Sequence, residues 1–277
     1  MPLSLFIRSL KFLIGIAFAG VLLWSLLWTV TGLISDPPKP TVESDFHLDH
    51  KELSLKSDGP FGTFDQAQLQ RGLHIYQEVC SNCHNLSFVS FRDLKALGYN
   101  DTQVKNFAKS WANKQPTFDP KTGDRADRAN LPSDHFPPVY YSGNGTPPDL
   151  SLITKARHGG AAYVYSLLTG YQAQPAALLK KYPLAKTPEG MFFNPYFANL
   201  NIAMPPPLTS EGQVEYTDGT RATVDQMAQD VSAFLVWTAE PTMQMRHETG
   251  FAVVIFLLLT TFLAYGAYQT VWRGVKH

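Results

Sequence analysis

Three side chains capable of metal or redox chemistry lie within five positions of the sequence. Cys80 and Cys83, the only cysteines of the chain, are separated by two residues, and His84 follows directly. Residues of this kind and spacing occur in zinc sites, in thioredoxin-like thiol pairs and in the covalent attachment of c-type haem. The rest of the sequence has to distinguish these three kinds of site.

Zinc binding and thiol–disulfide exchange fit the sequence poorly. A structural zinc ion takes four nitrogen or sulfur ligands, usually from two paired clusters, and the chain has no second cysteine pair. A thioredoxin-like pair belongs to a βαβ pattern, whereas the residues before Cys80 have the pattern of an amphipathic helix. Haem attachment explains all three positions, because two thiols can bond to one porphyrin and the adjacent imidazole can bind the iron.

A second axial ligand would suit such a haem to electron transfer, because it closes the iron to small molecules. Met227 lies on the apolar face of a predicted helix, where methionine usually fills the core, and Met243 and Met245 adjoin an apolar run. Met191 and the other histidines are further candidates. Met204 precedes three consecutive prolines, which could hold its thioether rigidly, so Met204 is favoured.

Two loop segments supply candidate contacts to the rest of a porphyrin. Arg157, in "ARHGG", could form a bidentate contact with a propionate, although a surface arginine is the alternative. Tyr163 could donate its hydroxyl to a propionate or could belong to the core. Pro148 and Leu150, in "NGTPPDLS", could form an apolar wall over one porphyrin face.

Two long apolar runs frame the chain. Residues 12–34 and 250–272 each comprise 23 residues without a charge. At about 1.5 Å per residue, each would form a helix of roughly 34 Å, enough to cross a hydrocarbon core of about 30 Å. The second run ends in aromatic residues and precedes Arg273 and Lys276. The positive-inside rule therefore predicts a C-terminal membrane helix with a cytoplasmic tail.

The first apolar run is either a retained anchor or a cleaved signal peptide, because Arg8 and Lys11 before it fit both. Either way the domain that follows is exported, and the segment lacks the Arg- and Ser-rich composition of a transit peptide, which favours a bacterial protein. The predicted organisation is an N-terminal signal peptide or anchor (1–35), a periplasmic haem domain (36–248), a transmembrane helix (249–272) and a cytoplasmic tail (273–277).

The charges of the chain are unevenly distributed although they cancel overall. Residues 36–248 hold all 23 acidic residues but only 19 of the 23 basic ones. Nucleic acid is therefore not expected as a partner, because phosphate binding requires clustered lysine and arginine. A mildly acidic domain fits a basic protein partner better.

The apolar periodicity predicts a mainly α-helical domain with long loops. Thr63 and Gln66 form a possible capping box for a helix that runs to Cys80, and Thr223 is the expected N-cap of a helix over 224–239. Loops this long suggest that something other than side chains organises the core. Shorter helices are predicted at 90–97, at 101–112 and within 155–171, and loops at 116–141 and 172–222.

Taken together, several segments resemble one protein family. Over residues 59–277 the chain is similar to cytochrome c1, the haem c subunit of the quinol:cytochrome c oxidoreductase complex. The segments that carry this resemblance are "GPFGTFDQAQLQRGLHIYQEVCSNCH", "NGTPPDLS", "ARHGGAAYVYSLLTGY", "NPYFANLNIAMPPPL" and "VSAFLVWTAEP", followed by a C-terminal anchor.

The resemblance implies a cytochrome c-type haem domain anchored by a C-terminal transmembrane helix, with a second, N-terminal anchor as the alternative to a cleaved signal peptide. It implies that Cys80 and Cys83 carry the thioether bonds of one haem c and that His84 and Met204 bind its iron. It also implies that Arg157 and Tyr163 lie near the propionates.

The function implied by the resemblance is non-catalytic electron transfer from a Rieske iron–sulfur protein to a soluble or membrane-bound cytochrome c. Cytochrome b, membrane lipid and a dimeric complex in the bacterial inner membrane follow from the same resemblance. Two alternatives are a haem c subunit of another membrane oxidase or reductase, and a ligand-binding haem protein with an open sixth position.

Overall fold

A computed structural model describes residues 3–37, 39–143 and 145–275. Its described residues fall into two units, Met1–Asp45 and Phe46–His277. Some residues of the sequence-based predictions lie outside the described residues: residues 1–2 of the predicted N-terminal segment, Pro38 and Asn144 of the predicted haem domain, and residues 276–277 of the predicted tail.

The first unit is dominated by one long helix, α1 (Leu3–Ser35). The hydroxyls of Thr29, Thr31 and Ser35 donate to backbone carbonyls one turn earlier in the helix, so these polar groups are satisfied without water. By length and composition, Leu10–Ser35 is apolar enough to cross a membrane, which a signal sequence would also be.

The second unit is mainly α-helical with long loops, as predicted. A 3₁₀ turn at Cys80–Asn82 and a 3₁₀ helix at Phe91–Leu97 accompany the α-helices. Two antiparallel hairpins join β1 to β2 and β3 to β4. The elements after α1 are α2 (Val42–Phe46), α3 (Gln66–Glu78), α4 (Asp101–Ser110), β1 (Gln115–Phe118), β2 (Arg125–Arg128), α5 (Ile153–Ala156), α6 (Gly160–Thr169), α7 (Ala176–Lys181), β3 (Phe192–Phe193), β4 (Asn201–Ile202), α8 (Val224–Ala239) and α9 (Met243–Trp272).

The core forms where α3 and α8 pack against each other. Gly72 permits a close approach, because a Cβ at this position would come within 2.5 Å of Phe234 Cβ and would overlap the Asp230 carbonyl oxygen. Beside it, the fully buried Asp230 carboxylate accepts bonds from Arg71 Nε at 2.8 Å and Arg71 Nη2 at 3.1 Å. The charge of Asp230 is therefore paired, as a buried carboxylate requires.

An aromatic cluster continues the core from this contact, on the same face of α3 as Gly72. Tyr76 stacks on Trp111, with ring centroids 6.2 Å apart. Phe136 meets both Trp111 at 4.9 Å and Phe91 at 4.5 Å. These rings join α3, the 3₁₀ helix and the loop after β2 into one core. The C-terminal end of α3, from which the chain continues to Cys80, is therefore held in place.

The predicted start of α3 is wrong by two residues. Asp65, rather than Thr63, is the N-cap, and its carboxylate accepts from the amides of Ala67 at 3.1 Å and Gln68 at 3.3 Å. Aspartate is at least as good an N-cap as threonine. By contrast, the Thr223 cap of α8 is confirmed, with its hydroxyl accepting from the Gln226 amide at 3.0 Å.

The two segments predicted as loops contain short regular elements. Residues 116–141 include all but the first residue of the β1–β2 hairpin, in which Phe118 pairs with Arg125. Residues 172–222 include α7 and the β3–β4 hairpin. Strands of two to four residues are too short to give a readable period, so the sequence pattern missed them.

Helix α9 is the C-terminal membrane anchor. It spans 30 residues and satisfies the length and hydropathy expected of a membrane-crossing helix. Tyr268 contacts both Tyr265 and Trp272 near its C-terminal end, where an aromatic belt is expected at the membrane surface.

The close approach at Gly72 predicts a loss of stability on Gly72→Ala. The added methyl group meets backbone that cannot rotate away, so overpacking should outweigh the gain in helix propensity, for a net loss of about 1–2 kcal/mol. Thermal or denaturant unfolding of the full-length protein in detergent measures the change. Gln77→Ala, at an exposed position of the same helix, is the matched control; equal stability of both variants would contradict the prediction.

Candidate functional site

The two cysteines and the histidine form a tight turn at the end of α3. The Cys83 amide donates to the Cys80 carbonyl at 3.1 Å, and the His84 amide donates to the same carbonyl at 2.9 Å. The two cysteines do not pair in a disulfide and are half-buried, and Cys80 packs against the hydrophobic core. The turn thus holds both thiols and the imidazole within one compact segment.

The Cys80 thiol does not have the lowered pKa of a redox-active cysteine, and its surroundings do not match a zinc site. Burial, with the neighbouring Cys83 thiol adding to it, raises the pKa of Cys80 to about 12, whereas reactive thiols have lowered pKa values. Among the residues that the structure describes, no group of three or more histidine, cysteine or acidic side chains is placed to hold a metal ion. Both observations favour the third kind of site, covalent haem attachment.

His84 is held by both its backbone and its ring. The Tyr76 hydroxyl donates to the His84 carbonyl at 2.8 Å, and His84 Nδ1 lies 2.8 Å from the Pro148 carbonyl oxygen. Because a carbonyl can only accept, Nδ1 carries the proton and the lone pair of Nε2 is left available. Burial lowers the pKa of His84, which favours the neutral imidazole that binds metals.

The segment that receives the His84 ring is fixed by Asp149. Its carboxylate accepts from the Ser87 amide at 2.9 Å and from the Ser151 amide at 2.7 Å. Burial works against the charge, but these hydrogen bonds outweigh it and hold the pKa of Asp149 below its usual value. Asp149 therefore joins the chain after His84 to the chain after Pro148.

Pro148 and Leu150 lie beside this junction. Pro148 is exposed, and its carbonyl gives it a polar role that the sequence did not suggest. Leu150 is half-buried against the core, and its amide donates to the Asn85 carbonyl at 2.9 Å. The structure thus brings both residues next to the segment that carries His84.

Arg157 and Tyr163 are neighbours on the α5–α6 segment. Arg157 is exposed at the end of α5, and Tyr163 is half-buried in α6. Burial raises the pKa of Tyr163, while the charge of the Arg157 guanidinium and a hydrogen bond from it oppose that rise. A cation and a phenol therefore lie side by side, as a carboxylate-binding pair would require.

His50 is a residue of this region that the sequence reasoning missed. Its ring meets Tyr163 at 5.4 Å and His158 at 6.3 Å, and its Nδ1 is buried without a hydrogen-bond partner. The ring fits because Gly159, at φ 82°, has no Cβ to collide with it. The sequence signal for this contact was the pair of glycines in "ARHGG", which can permit another segment to approach closely. His50 itself lies in a stretch without periodicity and gave no signal.

Met204 follows the β3–β4 hairpin and is half-buried. Its carbonyl accepts from the Tyr171 hydroxyl at 3.1 Å. Burial raises the pKa of Tyr171, and the charge of Tyr163 adds to that effect, so Tyr171 lies near both Tyr163 and Met204. The Met204 backbone is therefore tied to the same region as the Arg157–Tyr163 pair.

The hairpin before Met204 is itself fastened to α6. The fully buried Asn194 donates from Nδ2 to the Leu167 carbonyl at 2.8 Å and accepts the Tyr196 amide at 3.1 Å. Leu200 closes the hairpin with φ 64°, an uncommon conformation for a residue with a side chain. Such a constrained hairpin limits the positions that Met204 can take.

Two of the other methionines are core residues. Met227 is fully buried, and Met243 is buried at the start of α9. Their thioethers already pack in the hydrophobic interior, which is the commonest use of methionine. Among the candidates for a second iron ligand, Met204 has both partial exposure and a constrained backbone.

The available donors fit a covalently bound haem. They comprise two cysteine thiols, a neutral imidazole with a free Nε2, a thioether and a guanidinium beside a phenol. Cys80, Leu150 and Tyr163 all lie partly exposed at the edge of one hydrophobic core, so the apolar surface that a porphyrin needs is shared by both groups of site residues.

Known proteins resemble this chain over most of its length. The model of the Cytochrome C1 family matches residues 55–275. A protein named "Cytochrome c1" from Rhodospirillum rubrum is 41% identical over 237 residues, covering 79% of this chain and 86% of that protein. "Cytochrome c1 1, heme protein, mitochondrial" from Arabidopsis thaliana is 38% identical, covering 89% of this chain and 80% of its own length.

A third relative is a larger protein. "Cytochrome b/c1" from Bradyrhizobium diazoefficiens is 43% identical over 237 residues, covering 77% of this chain but only 34% of that protein. The resemblance that the sequence motifs indicated is thus confirmed by the family model and by relatives of similar length: this chain belongs to the cytochrome c1 family.

Proposed function

We propose that this chain is the haem c subunit of a quinol:cytochrome c oxidoreductase complex and passes single electrons from a Rieske iron–sulfur protein to a cytochrome c. The observation that carries the proposal is the bond between His84 Nδ1 and the Pro148 carbonyl. It joins the C-x-x-C-H turn to the "PPDLS" segment and leaves Nε2 free for an iron. Second partners of this kind fix the ring and the basicity of a ligating histidine.

Each site residue has a distinct role in the proposal. Cys80 and Cys83 would carry the thioether bonds, and His84 and Met204 would bind the iron. When bound, a haem c supplies reversible one-electron chemistry at a potential that such His/Met ligation raises. The protein itself would contribute position and a dry, apolar environment.

Arg157 would neutralise the charge of the haem propionates and Tyr163 would donate a hydrogen bond to them, because the propionates need donors where the cofactor is partly buried. Pro148 and Leu150 would cover one porphyrin face. No side chain has to transfer a proton in this function, so the chain acts as a non-catalytic subunit of an oxidoreductase.

The proposed partners follow from the family and from one relative. The name "Cytochrome b/c1" combines the two proteins in one chain, which supports a cytochrome b subunit as a neighbour of this protein. We place the haem domain on the periplasmic side of a bacterial inner membrane, within a dimeric complex. The apolar helix α9 and the charges Arg273 and Lys276 support that orientation.

A ligand-binding haem protein is the functional alternative of another class. It would need an open position on the iron. The constrained hairpin before Met204 and the bond from Tyr171 to the Met204 carbonyl argue against it, because they fasten a potential ligand that such a protein would lack.

Replacement of the proposed sixth ligand tests the site directly. Met204→Leu should lower the haem midpoint potential on the order of 0.1 V, within the ~0.8 V range that axial ligands span. It should also allow carbon monoxide to bind the reduced iron, because leucine cannot ligate. Optical redox titration and the spectrum under carbon monoxide measure both effects. Met191→Leu is the matched control; if Met204→Leu behaved like it, Met204 would not be the ligand.

Loss of the Asp149 carboxylate tests the support of His84. In Asp149→Ala the Ser87 and Ser151 amides lose their acceptor, which should destabilise the protein by about 1–3 kcal/mol. The Pro148 carbonyl should also become less fixed, and the midpoint potential should shift with it. Unfolding and redox titration are compared with Asp127→Ala, an exposed change in β2. If the stability fell but the midpoint potential stayed the same, Asp149 would have no role in positioning His84.

Charge should govern the encounter with the acceptor. Residues 36–248 hold 23 acidic and 19 basic residues, so electron transfer to a basic cytochrome c should slow about tenfold or more between ~10 mM and ~150 mM salt. Stopped-flow kinetics of the reduced protein give the rate, and reduction by a small uncharged reductant is the control. A rate to cytochrome c that ignores ionic strength would contradict electrostatic docking.

A further inference from the structure

A large apolar side chain of the haem domain is exposed beside the membrane anchor. Phe61, in the loop before α3, is 77% exposed. Its ring meets that of Phe251 in α9, with the centroids 6.1 Å apart. An exposed phenylalanine at the surface is unremarkable on its own, but this one lies against a helix that crosses the membrane.

The position of Phe251 along α9 sets the depth of Phe61. The uncharged run of α9 begins at Gly250, one residue before Phe251. This run of 23 residues would extend roughly 34 Å and exceeds a hydrocarbon core of about 30 Å by only a few ångströms. Phe251 therefore lies at the boundary between lipid headgroups and acyl chains, and its neighbour Phe61 lies at the same level.

The residues around Phe61 change from polar to apolar along α9, as the environment in a bilayer changes from headgroups to acyl chains. A cavity of about 350 Å³ lies between the loop and α9, and its lining includes Phe61, Phe251, His247 and Glu248. The polar pair precedes Phe251 by one turn on the domain side, and His247 Nδ1 is buried without a hydrogen-bond partner. The apolar side chains of the cavity thus lie at the depth of the acyl chains, and its polar side chains lie at the depth of the headgroups.

We propose that the loop Pro60–Thr63 is a second membrane contact of the haem domain. Phe61 inserts into the boundary of the leaflet from which α9 emerges, and a phospholipid occupies the cavity beside it. Aromatic side chains are favoured at this level, and an apolar ring next to a membrane helix gains by leaving water.

The contact would restrain the haem domain relative to the membrane. Only three residues, 240–242, separate α8 from α9, so the domain is already close to the bilayer. A single helix still lets a domain tilt about its connection, whereas a second contact removes that freedom. The candidate haem site would then keep a constant height above the membrane.

Site-directed fluorescence quenching tests the proposal. If Cys80 and Cys83 are both bonded to haem, Phe61→Cys introduces the only reactive thiol, and a bimane label can be attached to it. The full-length chain is placed in phosphatidylethanolamine–phosphatidylglycerol vesicles. Quenching by lipids with a nitroxide near the top of the acyl chain is compared with quenching by aqueous iodide. Leu258→Cys, within α9, is the membrane reference, and Phe118→Cys, opposite Arg125 in the hairpin, is the aqueous reference.

The Phe61→Cys label should lose most of its fluorescence to the lipid nitroxide, as the Leu258→Cys label does, and should resist iodide. Quenching by iodide as strong as that of the Phe118→Cys label would overturn the proposal. Protection from both quenchers would overturn it as well, because protein rather than lipid would then cover the loop. The unchanged chain must take up no label; labelling of the unchanged chain would instead contradict the proposed attachment of haem.

Discussion

The contact between α3 and α8 is the constraint on which the rest of the molecule depends. Gly72 lets the two helices approach until the Asp230 carbonyl fills the place of a side chain, and the Arg71–Asp230 pair neutralises the charge buried there. Helix α3 leads directly into the turn of Cys80 and His84, while α8 packs against α5 and α6, the elements that carry Arg157 and Tyr163. The contact between α3 and α8 therefore links the two groups of candidate haem-binding residues.

The long loops are ordered by hydrogen bonds to side chains rather than by regular ladders. Asp149 joins two loop segments through the Ser87 and Ser151 amides, and Asn194 fastens the hairpin before Met204 to α6. Both side chains satisfy backbone groups that a loop would otherwise leave unpaired in a partly buried position. This explains how a domain with few strands and short helices can still hold its candidate iron ligands in fixed positions.

The sequence predicted several features that depend on a local pattern, although it placed the N-cap of α3 two residues too early. The C-x-x-C-H spacing, the apolar faces of α3 and α8 and the Thr223 cap are properties of neighbouring residues, and each can be read without knowing the fold. Other contacts join residues that are far apart in the chain. They are the bond between His84 and Pro148, the packing of the His50 ring against Gly159, and the hydrogen bond between Tyr171 and Met204. The hydrophobic periodicity of the sequence does not predict contacts between such distant residues. The hairpin at β1 and β2 was missed for another reason, since four-residue strands are too short to show alternation.

The membrane end of the molecule is coupled to the candidate haem site through one carboxylate. Glu240, between α8 and α9, pairs with Lys155 of α5 and with Arg246 of α9, and the hydrogen bond from Lys155 is the main cause that lowers the pKa of Glu240. Thr154, next to Lys155, donates to the Leu235 carbonyl of α8 at 3.2 Å. Arg157 lies only two residues beyond Lys155. Exposed ion pairs stabilise little. Here, however, the first turn of the anchor and the segment proposed to hold the propionates share one carboxylate, which orients the two relative to each other. The anchor and the candidate site are therefore connected through α5 as well as through the core.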